Sequence, residues 1–185
     1  DMLCLVILIV IQTLAAMKMA VLNKLLEQRA YTDTHTGLPN KSACEELLNN
    51  KETVGKHTAC IMFDLNNLKI INDTKGHLMG DQLILNFARL LRNVILQKDF
   101  VGRYGGDEFM VVIYNTSKTE IEDILKQLSR EKDRLNSSGN NMPIDYACGW
   151  AISDADSECT IQMLLDKADY YMYENKQAYK KSKKS

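Results

Sequence analysis

Arg103-Tyr104-Gly105-Gly106-Asp107-Glu108-Phe109 constrains this chain more than any other stretch. Apolar or alternating residues flank it, Phe100 and Val101 before and Phe109 to Tyr114 after, so it reads as two strands joined by a tight hairpin. Gly105 and Gly106 form the turn, where glycine takes positive φ at no steric cost and leaves the backbone bare enough for a bulky anion. Asp107 and Glu108 follow at once. Adjacent carboxylates at an exposed tip repel each other and gain nothing from the core, whereas a divalent cation would settle them. Carboxylates for metal beside glycines for phosphate suggest a nucleotide site; a plain Gly-Gly-Asp turn is the competing reading of these seven residues.

At 185 residues, with 45% apolar and 25% charged, the chain suits one globular domain plus an appendage. A net charge of -1 supplies no field for nucleic acid, so no nucleic-acid partner is expected. Lys176, Lys180, Lys181, Lys183 and Lys184 make a local basic tail of the kind that is usually just solvated. Five scattered cysteines (Cys4, Cys44, Cys60, Cys148, Cys159) without CxxC pairing indicate neither a disulfide framework nor a zinc site, and fit a reducing cytosol.

The first residue is Asp, which suggests a piece of a longer protein. Met2 to Ile11 is unbroken apolar, and the character continues to Leu22 with only Gln12, Thr13 and Lys18 intruding. A bilayer needs about 20 such residues, so a transmembrane span and a buried or coiled helix both stand as readings. Lys18, Lys24 and Arg29 follow in the manner of a cytoplasmic flank and favour the membrane. No basic n-region or small-residue cleavage site marks a signal peptide. Val21, Leu22, Leu25 and Leu26 then form a stripe opposite Asn23, Lys24, Glu27 and Gln28, a helical connector able to pair with its own copy.

Thr36 to Asn40 ends that helix with breakers, and Asn40 can cap the next, which runs through Ala43, Leu47 and Leu48. Thr58 to Phe63 reads as a buried strand with Asp64 at its tip. Asn66 to Asp73 is a short helix broken by Gly76. Gly80 precedes a periodic helix carrying Leu83, Ile84, Phe87, Leu90, Leu91, Val94 and Ile95. After the hairpin come a helix with Ile121, Ile124, Leu125, Leu128 and Leu135, a loop from Ser137 to Pro143, and a strand over Ile144 to Ile152. A last helix holds Ile161, Leu164, Leu165, Ala168, Tyr171 and Met172. The pattern is split α+β, an antiparallel central sheet flanked by helices. We expect residues 1–30 to be the hydrophobic helix and connector, 31–181 the catalytic domain and 182–185 a basic tail. Asp64 and Asp107 can then converge on one sheet edge, the arrangement that two-metal phosphoryl or nucleotidyl transfer requires.

Three blocks beyond this pattern carry a family resemblance: Thr32 to Asn40, Phe63 to Asp81, and Arg103 to Phe109, with Ala168 to Lys176 closing the set. In this order they resemble the GGDEF family of diguanylate cyclases over about Ala30 to Lys181. The resemblance implies a ferredoxin-like, palm-like nucleotidyl cyclase fold and the condensation of two GTP into cyclic di-GMP across a symmetric homodimer. It implies Mg²⁺ (or Mn²⁺) on Asp64, the backbone carbonyl of Leu65 and Asp107, with Glu108 as metal or hydroxyl partner. Asn72 and Asp81 look like the guanine readers, since a carboxylate accepts from guanine N1–H and N2–H₂. Lys69, Lys176 and Lys180 would hold the triphosphate as point charges, and Gly105 and Gly106 would let phosphate lie against the hairpin. The implied location is a bacterial inner membrane with the catalytic domain in the cytoplasm.

The sequence also departs from the family. Asn66 replaces a usual Asp, Asn67 and Leu68 replace frequent aromatics, and His35 replaces a Leu, which affects local packing only. Tyr179 and Lys180 stand for a common Gly-Arg. Leu96 stands where the family's product-inhibition site has an Arg, three residues before Asp99. His77 reads as a structural turn residue, and Trp150, Tyr170, Tyr171 and Tyr173 as packing. The alternative to an enzyme is a catalytically weak GGDEF module that binds nucleotide and signals by contact.

Overall fold

The computed structural model describes residues 2–50, 54–55, 57–138, 143–153 and 158–182. Residues 139–142 of the expected loop, and Lys183 and Lys184 of the basic tail, lie outside them. The elements run α1 (Met2–Tyr31), α2 (Lys41–Asn49), β1 (Ala59–Leu65), α3 (Leu68–Lys75), α4 (His77–Val94), β2 (Phe100–Arg103), β3 (Glu108–Ile113), α5 (Lys118–Ser137), β4 (Tyr146–Ile152) and α6 (Ile161–Ser182). The four strands form one antiparallel sheet in the order β2-β3-β1-β4.

All seven residues of β1 are buried because helices cover both sheet faces. Ile61, Phe63 and Leu65, with Phe109, Val111 and Ile113 of β3, pack against Leu83, Phe87, Leu90 and Leu91 of α4 and Ile121 and Leu128 of α5. The alternate residues Cys60, Met62, Met110 and Val112 face Cys44 and Leu48 of α2 and Leu164, Leu165, Ala168 and Met172 of α6. A period of two in the strands thus meets a period near 3.6 in the helices on each side. Phe87 stands edge-on to Phe63 at 5.7 Å and to Phe109 at 5.0 Å, fixing the two strands next to Asp64 and Glu108.

Three local expectations are corrected. The periodic helix starts at His77, not after Gly80, and Gly80 is buried inside it. Glycine is needed there because a side chain would run into the Asn72 amide of α3, so a tertiary contact and not a helix start explains it. Tyr170, Tyr171 and Tyr173 are exposed: the buried stripe of α6 is Leu164, Leu165, Ala168 and Met172, and the tyrosines fall outside it. The last strand begins at Tyr146, since Asn136 takes both backbone groups of Ile144 through its side chain.

Two contacts bind the ends of the chain to this core. Asn40 caps α2 by accepting from Ala43 N–H and donates to the Ala30 carbonyl, so one side chain joins α1 to the domain. At Gly149 of β4 a side chain would collide with the backbone of α6 at Ala168 and Met172, so glycine lets α6 lie close against the sheet. The helix α1 is continuous over 30 residues, and its large apolar side chains from Met2 to Leu26 are exposed. It is long and apolar enough to cross a membrane by length and composition.

Candidate active site

Antiparallel register sets Asp64 of β1 directly across from Glu108 of β3. Leu65 N–H donates to the Asp107 carbonyl at 2.9 Å, so all three acids gather at one end of the sheet. The loop between β2 and β3 closes through Tyr104 N–H and Gly105 N–H, which both donate to the Glu108 carbonyl, at 2.9 and 3.2 Å. Neither Gly105 nor Gly106 has positive φ; among described glycines only Gly37 and Gly76 do. The sequence expectation of a left-handed turn is therefore corrected. A side chain at position 105 would meet the Glu108 carboxylate, which would have to swing aside.

The hairpin is held from behind by Arg103. Its Nη2 donates to the Gly106 carbonyl at 2.8 Å, and its Nη1 pairs with Asp33 at 3.2 Å. Burial alone would raise the Asp33 carboxyl; hydrogen bonds from Thr36 Oγ1–H and N–H, with the Arg103 charge, outweigh it and hold the group below its ordinary range.

Lys176, brought over the sheet by α6, places its ammonium 2.5 Å from Asp64 Oδ2, and Lys180 stands one helical turn further, exposed. The other oxygen, Oδ1, is buried without a hydrogen-bond partner. Burial raises the Asp64 carboxyl, the Lys176 bond and charge oppose this, Asp107 adds to it, and the net shift is upward. Glu108 is also raised, first by burial, then by the charges of Asp107, Asp64 and Asp169. Among the described residues no three His, Cys, Asp or Glu side chains converge as a metal cage. The donor set nevertheless fits a cation, since one Asp64 oxygen already holds an ammonium and the other is unpartnered.

The expected guanine readers come from α3 and α4: Asn72 is half-buried with its amide against Gly80, and Asp81, the next residue, is exposed. Lys69 is exposed on the first turn of α3 and takes no part in the ion pair at Asp64. Sequence reasoning misses three neighbours of the site. Asp33 and Asp169 lie inside the opening and closing blocks, and that position is the signal that points to them. His35 reads as a packing change in the sequence, yet its ring Nε2 lies 2.8 Å from the Asp81 carbonyl. A cavity of about 810 Å³ runs along β4 and α6 past Trp150 and Tyr171 and shares no residue with this cluster.

The model of the family described as "Diguanylate cyclase, GGDEF domain" matches residues 30–182. The chain belongs to the GGDEF family. This GGDEF domain is 31% identical over 156 residues to the diguanylate cyclase DgcP of Pseudomonas aeruginosa, covering 82% of the chain and 23% of that protein. It is 34% identical over 101 residues to the cyclic di-GMP phosphodiesterase PdeR of Escherichia coli, covering 54% of the chain and 15% of that protein. The chain thus spans less than a quarter of either relative. Among solved structures, the coiled coil and GGDEF domain of DgcB from Caulobacter crescentus, in complex with c-di-GMP, superposes with a TM-score of 0.77 at 22% identity, covering 90% of this chain and 91% of that one. That likeness supports the fold, including a helix leading into the domain.

Proposed function

We propose that this GGDEF domain is a diguanylate cyclase, joining two GTP into cyclic di-GMP with release of pyrophosphate. The observation that carries the reading is the pairing of Asp64 with Glu108, with Asp107 and Lys176 at the same sheet end. Asp64, the Leu65 carbonyl, Asp107 and Glu108 would hold Mg²⁺ or Mn²⁺, which when bound acidifies the attacking hydroxyl and neutralises the leaving phosphates. Glu108, across from Asp64 on β3, would serve either as a metal ligand or as the partner that accepts the proton of the 3'-hydroxyl. That hydroxyl oxygen bonds to the α-phosphorus of the other GTP, and the bond to the β-phosphate oxygen breaks to free pyrophosphate. Lys176 and Lys180 steady the triphosphate, Asn72 and Asp81 read the guanine edge, and two copies of the chain face each other to complete both bonds. Lys69 would serve as a further phosphate contact.

The N-terminal helix would anchor the chain in a membrane, with the catalytic domain on the cytoplasmic side. A second reading, a nucleotide-binding module without turnover, is favoured by one observation: Lys176 occupies Asp64 and, among the described residues, the three acids form no closed cage. Purified chain incubated with GTP and Mg²⁺, its products separated by chromatography, decides between them. Cyclic di-GMP formed by the parent and lost in Asp64→Ala and Asp107→Ala supports the enzyme. Cyclisation retained in both variants would sink the metal assignment.

A further inference from the structure

Asp64 and Lys176 are 112 residues apart in the chain, yet their carboxylate and ammonium are 2.5 Å apart. The Asp64 side chain is 8% exposed and that of Lys176 is 26% exposed. An acid so placed, with Asp107 and Glu108 beside it, would be costly to bury without a counterion. Asp169 adds a further negative charge on the Glu108 side, and Lys180 a positive one toward Asp64. Lys176 is the one of these cations in direct contact. Under the proposed function, on which this inference rests, the same lysine also serves the triphosphate and the same carboxylate serves the metal. While the ammonium rests on Oδ2, that oxygen is closed to a metal.

We propose that Lys176 is a tethered counterion that fills the cation position on Asp64 until a triphosphate draws it away, so that metal and nucleotide enter together. A divalent ion arriving alone meets a tethered positive charge at Asp64 and, to use Oδ2 as well as the unpartnered Oδ1, must displace a competitor whose effective concentration is high. A triphosphate offers the ammonium a stronger anion and so frees Asp64 Oδ2 at the moment when the ion is needed. Binding free energies are reciprocal, so metal favours nucleotide by the same factor. The chain by itself should then hold divalent metal weakly, which guards the carboxylates from loading without substrate.

The test uses the full chain in detergent, with Mn²⁺ followed by electron paramagnetic resonance and 3'-deoxy-GTP, which lacks the attacking hydroxyl, as the nucleotide. Lys176→Met keeps the aliphatic stem and removes the charge; Lys176→Gln is the second variant should the first not fold. We expect either to tighten Mn²⁺ binding without nucleotide by about tenfold, the scale of one partly exposed ion pair, and to weaken 3'-deoxy-GTP. Lys180→Met should change Mn²⁺ binding far less, because Lys180 touches no carboxylate of the site. Equal gains from Lys180→Met and Lys176→Met would overturn the proposal in favour of net charge alone. Unchanged or weaker Mn²⁺ binding in both Lys176 variants, with binding lost in Asp64→Asn, would overturn it while leaving the metal site standing. Mn²⁺ binding that survives Asp64→Asn would overturn the site assignment beneath it.

Discussion

Arg103 and Asp33, 70 residues apart, form a 3.2 Å ion pair that fastens the opening loop to the base of the Gly-Gly-Asp-Glu hairpin. The pair is mostly shielded, with side chains 17% and 21% exposed, and Asp33 also accepts two bonds from Thr36. Because Arg103 in turn holds the Gly106 carbonyl, slack at Asp33 reaches the residues beside Asp107.

Asp33→Asn should therefore lower stability by roughly 1.5–3 kcal/mol at neutral pH, the range for hydrogen bonds to a charged group. The folded Asp33 carboxyl lies below its ordinary value of 3.8, so its contribution is present above that value and is lost as pH falls through the folded one. Denaturation midpoints of parent and variant should converge as the solution is acidified from neutrality to below 3.8. A gap that stays constant over that interval would show that the charge of Asp33 contributes nothing.

Guanine selection gives the second prediction. Removing the Asp81 carboxylate removes a group that would face the lone pair of adenine N1, so Asp81→Ser should lower discrimination against ATP. Its partner Asn72 lies where a side chain on residue 80 would go, so Gly80→Ala should raise KM for GTP several-fold by displacing that amide. Steady-state kinetics with GTP and ATP check both. An unaltered preference in Asp81→Ser would place base reading elsewhere.

Much of this site is legible in the amino-acid sequence. The order of buried strand, acid, hairpin and acid-rich tip follows from apolar runs ended by charged residues, which is local information. So is the capping role of Asn40, realised in its bond to Ala43 N–H. What escapes a reading of the sequence depends on contacts between distant segments. Gly80 looks like a helix boundary until Asn72 is set against it, and Gly105 looks like a conformational glycine until Glu108 folds back over it. The α6 tyrosines are apolar enough to pass for core, and only the seating of Gly149 against Ala168 and Met172 decides which side of the helix is buried. Nor does spacing alone reveal that Lys176 rests on Asp64.

Product control is the third prediction. Leu96 is exposed and has no group to bond phosphate or guanine, while Asp99 Oδ1 accepts from Tyr114 N–H at 3.2 Å. An arginine at position 96 would supply a bidentate donor that leucine lacks. Feedback by cyclic di-GMP at this position should be weak, and progress curves should run on as product accumulates. Curves that stall early and recover when a phosphodiesterase removes product would contradict this.

The geometry of the product makes the last prediction. Cyclic di-GMP contains two phosphodiester bonds, each made by the 3'-hydroxyl of one nucleotide on the α-phosphate of the other, so a domain holding one GTP offers half of the reaction. Two-fold pairing lines up both attacks by the same contacts. The helix α1 enters the domain at Tyr31, whose carbonyl accepts from Asn40 N–H at 2.9 Å, and its Val21, Leu22, Leu25 and Leu26 are exposed. Pairing of two such helices would raise the effective concentration of one catalytic domain about the other. Deleting residues 1–28 leaves Ala30, Tyr31 and their bonds to Asn40 in place, so the domain should still fold and bind GTP. Specific activity of the truncated chain should then fall on dilution, and more steeply than that of the full chain, while GTP affinity measured by calorimetry stays the same. Activity per molecule that is constant across a wide dilution of the truncated chain would mean that the domains pair without the helix, or that the facing-dimer mechanism is wrong.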